Sequence, residues 1–175
     1  MPYVLFLSRF TRAAQHSAAA TCFSRSAPEE VANRVGDRSI PVDQQLKVMA
    51  LNEISAAIID HSIQIHSALG PGLFESIFQR VLAYELRKAG FKVDTEVAIP
   101  LVWDGVVIND GFRADIIVNK SVLVELKSVE SIQKVHHKQI LTYLKLTDLR
   151  LGLLLNFGAP LLKDGIHRVV NGLPE

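Results

Sequence analysis

The sequence predicts an α/β fold, a mixed β-sheet flanked by helices, and three observations lead to this prediction. The spacing of apolar residues changes from a helical period to a strand period at Phe91. A helical pattern returns over residues 132–145, after several strand patterns. A nearly continuous apolar run follows at residues 150–156, which is typical of a strand covered on both faces.

Two helices are predicted first, over residues 51–69 and 73–89. In the first helix, apolar residues recur at steps of three and four: Ile54, Ala57, Ile58, Ile65 and Leu69. Gly70 and Pro71 end this pattern, and Gly90 ends the second helix. The second helix has five apolar residues that we expect to face inward: Phe74, Ile77, Phe78, Val81 and Leu82.

The strands follow, and turn residues separate them. Residues 91–99 alternate apolar and polar side chains, and Asp104-Gly105 predicts a tight hairpin turn into residues 106–108. Asn109-Asp110-Gly111 indicates a second turn or a bulge before residues 112–118, and Asn119-Lys120 a turn before residues 122–127. Ser131 is the expected N-cap of the third helix, and residues 166–170 form a last short strand. The predicted order is ααβββ(β)αββ.

The domain is expected over residues 47–175, and residues 1–46 are expected to be a disordered extension because they show no sustained period. Two alternatives concern this extension. Translation would begin at Met49, or the Ala/Ser/Arg-rich residues 1–28, which hold no Asp or Glu, would direct the protein to an organelle. Otherwise a cytoplasmic protein is expected. The sequence holds no run of 18 apolar residues, so no membrane span is predicted.

Composition bounds the function. From Lys47 onward, 14 Lys and Arg residues balance 14 Asp and Glu residues, which argues against a strongly basic nucleic-acid coat protein. An enzyme that contacts nucleic acid briefly is still allowed, because bound metal ions supply positive charge. The single cysteine, Cys22, excludes an intramolecular disulfide and a cysteine-rich zinc site. Trp103, beside the first hairpin turn, is expected to serve packing.

Three charged residues lie in two adjacent predicted strands. Asp115 stands among large apolar residues, and Glu125 and Lys127 are two residues apart on the next strand. Strand side chains alternate between faces, so Glu125 and Lys127 share one face. A hairpin at the intervening turn would bring Asp115 near Glu125, because paired strands lie roughly 5 Å apart.

This cluster has two possible interpretations. In the first, Lys127 neutralises one carboxylate in a partly buried salt bridge, which is a structural role. One lysine cannot neutralise two carboxylates, however, and the excess negative charge favours a bound cation. Carboxylate oxygens with room for water are the ligands that Mg²⁺ or Mn²⁺ requires, so a metal site is the preferred interpretation.

The spacing Asp115, then Glu125-Leu126-Lys127, resembles the D…(D/E)-x-K signature of the PD-(D/E)XK nuclease superfamily. The predicted order also resembles its αβββαβ core, preceded here by an extra helix. Gly72-Leu-Phe-Glu75-Ser-Ile-Phe78 resembles the motif of the GxxExxY family within that superfamily, with Phe in place of the final Tyr. The resemblance covers residues 53–170, and it differs also in having Ala114 where Pro is usual.

The resemblance implies a role for each matching residue. Asp115 and Glu125 would bind Mg²⁺, for which Mn²⁺ can substitute, with the carbonyl of Leu126 and the carboxylate of Glu75 as further ligands. Lys127 would position or help to deprotonate the attacking water and would stabilise charge on phosphorus. Without the resemblance, Glu75 would be interpreted as an exposed carboxylate that favours a helix N-terminus.

Gln139 and Tyr143 are four residues apart, so they project from one face of the third helix. Their spacing resembles the Q-x-x-x-Y element of RecB-type members of the superfamily, which lies near substrate. The alternative is an ordinary polar helix surface.

Two hypotheses of function follow. The first is an Mg²⁺-dependent nuclease that hydrolyses phosphodiester bonds of nucleic acid, DNA rather than RNA by preference, because the Asp115, Glu125 and Lys127 set is complete. The second is a nucleic-acid-binding or protein-interaction module that keeps the fold without turnover. A domain this small contacts few nucleotides, which makes a homodimer or a partner subunit plausible.

Overall fold

A computed structural model describes residues 42–172, except for the side chains of residues 42–46 and 110. Its helices are α1 (Val42–Leu69), α2 (Glu75–Lys88) and α3 (Lys134–Thr147), with a short 3-10 helix at Leu162–Gly165. Its strands are β1 (Val93–Trp103), β2 (Val106–Val118), β3 (Val122–Lys127), β4 (Leu151–Asn156) and β5 (Ile166–Val170). The predicted α/β class and the αβββαβ order after an extra helix are confirmed.

The five strands form one mixed sheet in the order β1-β2-β3-β4-β5. β1 to β3 form an antiparallel meander, whereas β3 and β4 run parallel, with Glu125 beside Leu154 and Lys127 beside Asn156. A parallel pair needs a crossover connection, and α3 provides it. β5 returns antiparallel to β4.

The core lies on both faces of the sheet. Val122, Val124 and Leu126 of β3 belong to a cluster that includes α1 and α2 residues, while Leu123 belongs to a second cluster with residues of α3. Every residue of β4 is buried, as the continuous apolar run predicted. Glu125 shares the side of Leu123, so the alternation of β3 carries its carboxylate toward the face that α3 covers.

The predicted turns are confirmed. Asp104 and Gly105 both have positive φ, which matches the right-handed twist of a two-residue hairpin, and so do Asn119 and Lys120 at the next turn. The Asn109-Asp110-Gly111 signal marks a bulge rather than a turn, because β2 continues through it. There the pairing with β1 shifts register between Ile99 and Leu101.

Two predicted helix starts were wrong. α1 begins at Val42 rather than at residue 51, and Lys47, Met49 and Ala50 in its first turns are exposed, so no apolar stripe marked them. The N-cap residue of α3 is Gln133 and not Ser131, and the Gln133 backbone N–H donates to Nδ1 of His136 at 3.1 Å. The Gln133 side-chain amide donates to the Ser131 hydroxyl at 2.8 Å.

Three predicted inward-facing aromatic or apolar residues are instead exposed. Phe78 and Leu82 of α2 are fully buried as expected, but Phe74 and Ile77 face solvent. The buried face of α2 turns toward Gln79 and Ala83, so its stripe is shifted from the one read from apolar residues alone. Trp103 at the β1–β2 turn is also exposed, which contradicts the expected packing role.

The predictions for the N-terminal extension lie almost entirely outside the described residues, because description begins at Val42. Within residues 42–172, no helix is long and apolar enough to cross a membrane.

Candidate active site

The predicted site lies where β2 and β3 stop pairing. Moving away from the connecting turn, the last paired residues are Ile116 of β2 and Val124 of β3. The next residues are Asp115 on β2 and Glu125 on β3. The backbone N–H of Leu126 donates to Oδ2 of Asp115 at 2.8 Å. This bond ties the half-buried Asp115 carboxylate to β3 at the point where the ladder ends.

Glu125 and Lys127 project from the same side of β3, as their spacing predicted, and Nζ of Lys127 donates to Oε1 of Glu125 at 2.9 Å. Glu125 is only 2% exposed, and its second oxygen, Oε2, has no hydrogen-bond partner. A buried carboxylate oxygen without a partner is costly, since burial removes its hydration without replacing it.

Burial and crowding of like charges alter the acidity of the cluster. Burial, and then the negative charge of Asp115, raise the pKa of Glu125 to about 7. Burial also raises the pKa of Asp115, although the Leu126 hydrogen bond and the charge of Lys127 oppose the change. Burial lowers the pKa of Lys127, but its bond to Glu125 and the surrounding carboxylate charges outweigh burial, so its pKa is raised. The cluster therefore holds one positive charge, on Lys127, against two carboxyl groups whose ionisation is disfavoured.

Glu75 lies in the first turn of α2 and reaches the end of β3. Its Oε1 accepts a hydrogen bond from the backbone N–H of Ser128, the residue after Lys127, at 2.8 Å. Its charge is near enough to act on the pKa of Asp115, Glu125 and Lys127, although within residues 42–172 it makes no hydrogen bond to them. Glu75 thus belongs to the same electrostatic neighbourhood.

Gln139 and Tyr143 share a face of α3, and the Gln139 amide donates to the Tyr143 hydroxyl at 2.8 Å. Tyr143 is buried and packs edge-on against Phe112 at 5.6 Å between ring centroids. In the described part of the chain, neither side chain is hydrogen-bonded to Asp115, Glu125 or Lys127. The pair therefore lies on the α3 side of the sheet without joining the charged cluster directly.

Sequence reasoning missed Gln79, which is buried on α2 one turn after Glu75. Its side-chain amide donates to the backbone carbonyl of Asp115 at 2.9 Å and to Oε1 of Glu96 at 2.6 Å. Glu96 has a φ of 54°, a conformation that is rare for residues other than glycine, and it also pairs with Arg113 at 3.0 Å. The spacing of four from Glu75 was an available signal for Gln79, but nothing in the sequence marks the backbone of Glu96.

Asn156 is a second residue that sequence reasoning missed. It is buried at the end of β4 and exchanges two hydrogen bonds with the backbone of Val129, at 3.0 and 2.8 Å. Gly158 follows closely, and an added Cβ there would lie 2.6 Å from the Val129 carbonyl oxygen. Together with the Phe157 N–H bond to the Lys127 carbonyl at 2.7 Å, these contacts fix the chain just beyond Lys127.

Comparison with known proteins decides the family. A family model described as the PD-(D/E)XK nuclease superfamily matches residues 52–169. The chain belongs to this superfamily. It is also similar to a solved structure, the crystal structure of SSO0001, with 22% identity and a TM-score of 0.37. The similarity covers 74% of this chain and 63% of that one, so the chain spans less than two thirds of the length of that protein. None of the curated proteins matches significantly.

PD-(D/E)XK nucleases generally use divalent metal ions such as Mg²⁺, which bind oxygen donors. Within residues 42–172, no three His, Cys, Asp or Glu side chains converge in a ready-made ligand set. Glu75, Asp115 and Glu125 each direct one oxygen to a protein donor. The buried Oε2 of Glu125 has none, and a hard cation would satisfy it. The donors and their excess charge fit a metal ion.

Proposed function

We propose that this protein is an Mg²⁺-dependent nuclease that hydrolyses phosphodiester bonds of nucleic acid. Membership of the PD-(D/E)XK nuclease superfamily supports nuclease chemistry on a nucleic-acid substrate. The observation that carries the metal dependence is the unpartnered, buried Oε2 of Glu125 beside the carboxylate of Asp115. Two carboxylates with one lysine leave a negative charge that a divalent cation would neutralise.

The proposed ligands are Asp115 and Glu125, with Glu75 and the backbone carbonyl of Leu126 as further donors. A bound Mg²⁺ would supply Lewis-acid polarisation of the phosphate and a water of lowered pKa. Glu75 would have to leave Ser128 to offer both oxygens, since Oε1 now accepts the Ser128 N–H. This requirement makes Glu75 the most adjustable member of the set.

Lys127 would act on the substrate from the same side of β3. Its ammonium group lies 2.9 Å from Glu125 and keeps further N–H donors for a phosphate oxygen or an attacking water. Glu125 binds the ammonium group, and the Phe157 N–H bond to the Lys127 carbonyl fixes the backbone of the same residue. The ammonium group would therefore be in position before substrate binds. Preorganised positive charge of this kind stabilises the charge that develops on phosphorus.

Finer assignments belong to the same proposal. The Gly72, Glu75 and Phe78 spacing supports the GxxExxY branch of the superfamily. DNA is the preferred substrate, Gln139 and Tyr143 are proposed to lie near it, and a cytoplasmic protein that acts as a homodimer or with a partner subunit is the proposed context. RNA is tested beside DNA in the experiment that follows.

The test is a calorimetric Mn²⁺ titration of the full chain, followed by cleavage assays with labelled DNA and RNA in Mg²⁺. Asp115→Asn and Glu125→Gln are expected to lose saturable binding and to reduce cleavage at least about 100-fold, as removal of one key electrostatic group typically does. Two carboxylates offer matched controls. Asp94→Asn on β1 and Glu130→Gln after β3 alter exposed acids and are expected to leave both measurements unchanged.

The result that contradicts the proposal is a parent protein that is folded, binds no Mn²⁺ with or without nucleic acid, and cleaves neither polymer. That outcome would identify the charged cluster as structural and favour a binding module. Equal losses in the control variants would show instead that metal binding follows total surface charge rather than this site.

A further inference from the structure

The exposed side chain of Phe74 directly precedes Glu75, one of the proposed metal ligands. Phe74 is the N-cap residue of α2, directly before Glu75, and it is 83% exposed. Exposure of a single apolar residue needs no explanation, but Leu73 and Ile77 on either side are exposed as well. The ring therefore contributes little to the core and is available to contact a bound molecule.

The backbone on both sides of this ring is hydrogen-bonded to Ser128, the residue that follows β3. The Ser128 hydroxyl donates to the carbonyl of Leu73 at 3.0 Å, and the Ser128 N–H donates to Oε1 of Glu75 at 2.8 Å. Ser128 directly follows Lys127. The residues before and after Phe74 are thus tied to the strand that carries the proposed catalytic lysine, which limits where the ring can move.

An open depression of about 670 Å³ lies beside the ring. It is lined by residues 71–76 and by Ser128, so Phe74 and Glu75 border the same space. A molecule whose phosphate approaches Glu75 and the residue after Lys127 would pass the Phe74 ring. The depression borders Glu75, one of the proposed ligands, and a nucleic-acid strand is an occupant that carries both a phosphate and a flat apolar group.

We propose that Phe74 stacks on a nucleobase next to the bond that is cut, and that the substrate is single-stranded or unpaired at that base. This inference rests on the proposed nuclease function. A base in a duplex is already stacked and paired, whereas an unpaired base offers its π-face to an aromatic side chain. Stacking of this kind tolerates any base, so it selects strandedness and not sequence.

The experiment measures binding of the full chain to fluorescein-labelled oligothymidylate by anisotropy in Ca²⁺. Three probes are compared: the single strand, the same strand with abasic sites throughout, and the duplex. Phe74→Ala is expected to weaken binding of the single strand roughly 10-fold, and Phe74→Trp to restore it. The variant and the parent should bind the abasic strand equally, because that strand has nothing to stack.

Tyr84→Ala is the matched control, since Tyr84 is an aromatic residue of α2, the helix that Phe74 precedes, and is 62% exposed. It is expected to leave all three affinities unchanged. A second readout uses Phe74→Trp in a Trp103→Phe background, where the new indole is the sole tryptophan. Its fluorescence should be quenched by the thymidine strand and not by the abasic one.

Several results would overturn the inference. One such result is that Phe74→Ala binds the thymidine strand as the parent does, and another is that it weakens binding of the thymidine and abasic strands equally. If Phe74→Ala changes only the sedimentation of the protein, the ring contacts another protein chain instead. Metal-dependent cleavage that survives any of these results would preserve the proposed function, whereas a parent that binds and cleaves no nucleic acid would reject both.

Discussion

Two carboxylate–cation pairs of nearly equal length lie in different regions of the sheet. Glu125 and Lys127 are 2.9 Å apart, with side chains 3% and 16% exposed, whereas Glu96 and Arg113 are 3.0 Å apart, with side chains 50% and 67% exposed. The pKa of Glu125 is raised to about 7 by burial and by Asp115. The pKa of Glu96 is lowered, by the hydrogen bond from Gln79 and then by the one from Arg113.

The comparison shows that environment, and not distance, decides what an ion pair does. In water-accessible Glu96, two donors satisfy the carboxylate and little electrostatic energy is stored. In buried Glu125, one donor leaves Oε2 without a partner and a second carboxylate lies nearby. The buried pair therefore leaves one carboxylate oxygen for which the proposed cation would be a partner, whereas both donors of the exposed pair are in place.

The largest expected effect comes from removing the buried cation. Lys127→Met leaves Glu125 and Asp115 without a positive partner, and we expect it to lower the free energy of unfolding by about 3–5 kcal/mol at pH 8 without metal. The loss should shrink at pH 5, where Glu125 can take up a proton. Urea denaturation at both pH values measures it. A loss below about 1 kcal/mol at pH 8 would mean that water reaches the pair freely.

The two pairs should also give opposite pH dependence of stability in the metal-free protein. The folded pKa of Glu125, about 7, lies above its ordinary value of 4.5, so its contribution is fully present below pH 4.5 and is lost as pH rises to about 7. The loss amounts to roughly 3 kcal/mol at most. Glu96 has a lowered pKa, so its smaller contribution is present above pH 4.5 and is lost on acidification.

Unfolding curves of Glu125→Gln and Glu96→Gln, each subtracted from the parent across pH 4 to pH 8, separate these two contributions. Slopes of the same sign in both difference curves would contradict the comparison.

Gln79 links the two regions, because its amide donates both to Glu96 and to the carbonyl of Asp115. Gln79→Leu leaves that carbonyl without its donor, and we expect a loss of about 1–3 kcal/mol in the free energy of unfolding. We also expect weaker Mn²⁺ binding, since the strand position of Asp115 is less constrained. Gln79→Glu is a useful companion, because it keeps the shape while repelling Glu96. Unchanged Mn²⁺ affinity in both variants would limit Gln79 to a structural role.

The smallest effect is expected at the exposed pair. Arg113→Met should change the free energy of unfolding by less than about 1 kcal/mol, and high salt should reduce the difference further. Denaturation in 0.05 M and 1 M NaCl is sufficient to measure it. A loss comparable with that of Lys127→Met would show that the Glu96 pair has a larger role than its exposure indicates.

Patterns with a strict period made the sheet predictable from the sequence. Alternation at β1, the apolar run at β4 and the turn residues at Asn119-Lys120 each reflect local geometry, so the strands and the approach of Asp115 to Glu125 followed from them. The charged cluster was likewise predictable, because β alternation alone places Glu125 and Lys127 together.

Other features depend on tertiary contacts that carry no local signal. The stripe of α2 rotates so that Gln79 is buried and Phe74 is exposed, since hydrogen bonds to Asp115 and Glu96 compensate for burying a polar residue. The positive φ of Glu96 is equally invisible, because Glu has no preference for that conformation. The described residues in the first turns of α1 are largely exposed, so they lack the apolar stripe by which a helix is predicted.

The parallel pairing of β3 with β4 has a consequence for the order of folding. Asp115 and Glu125 lie on a hairpin closed by a short turn, whereas β4 must wait for the 23-residue connection that carries α3. Contacts between residues close in sequence form sooner, so the carboxylates should meet before Asn156 reaches Val129. Asn156→Ala should therefore accelerate unfolding in stopped-flow measurements and leave the refolding rate nearly unchanged. The acidic cluster would then form early in folding, and the Asn156 contacts that fix the chain after Lys127 would form late.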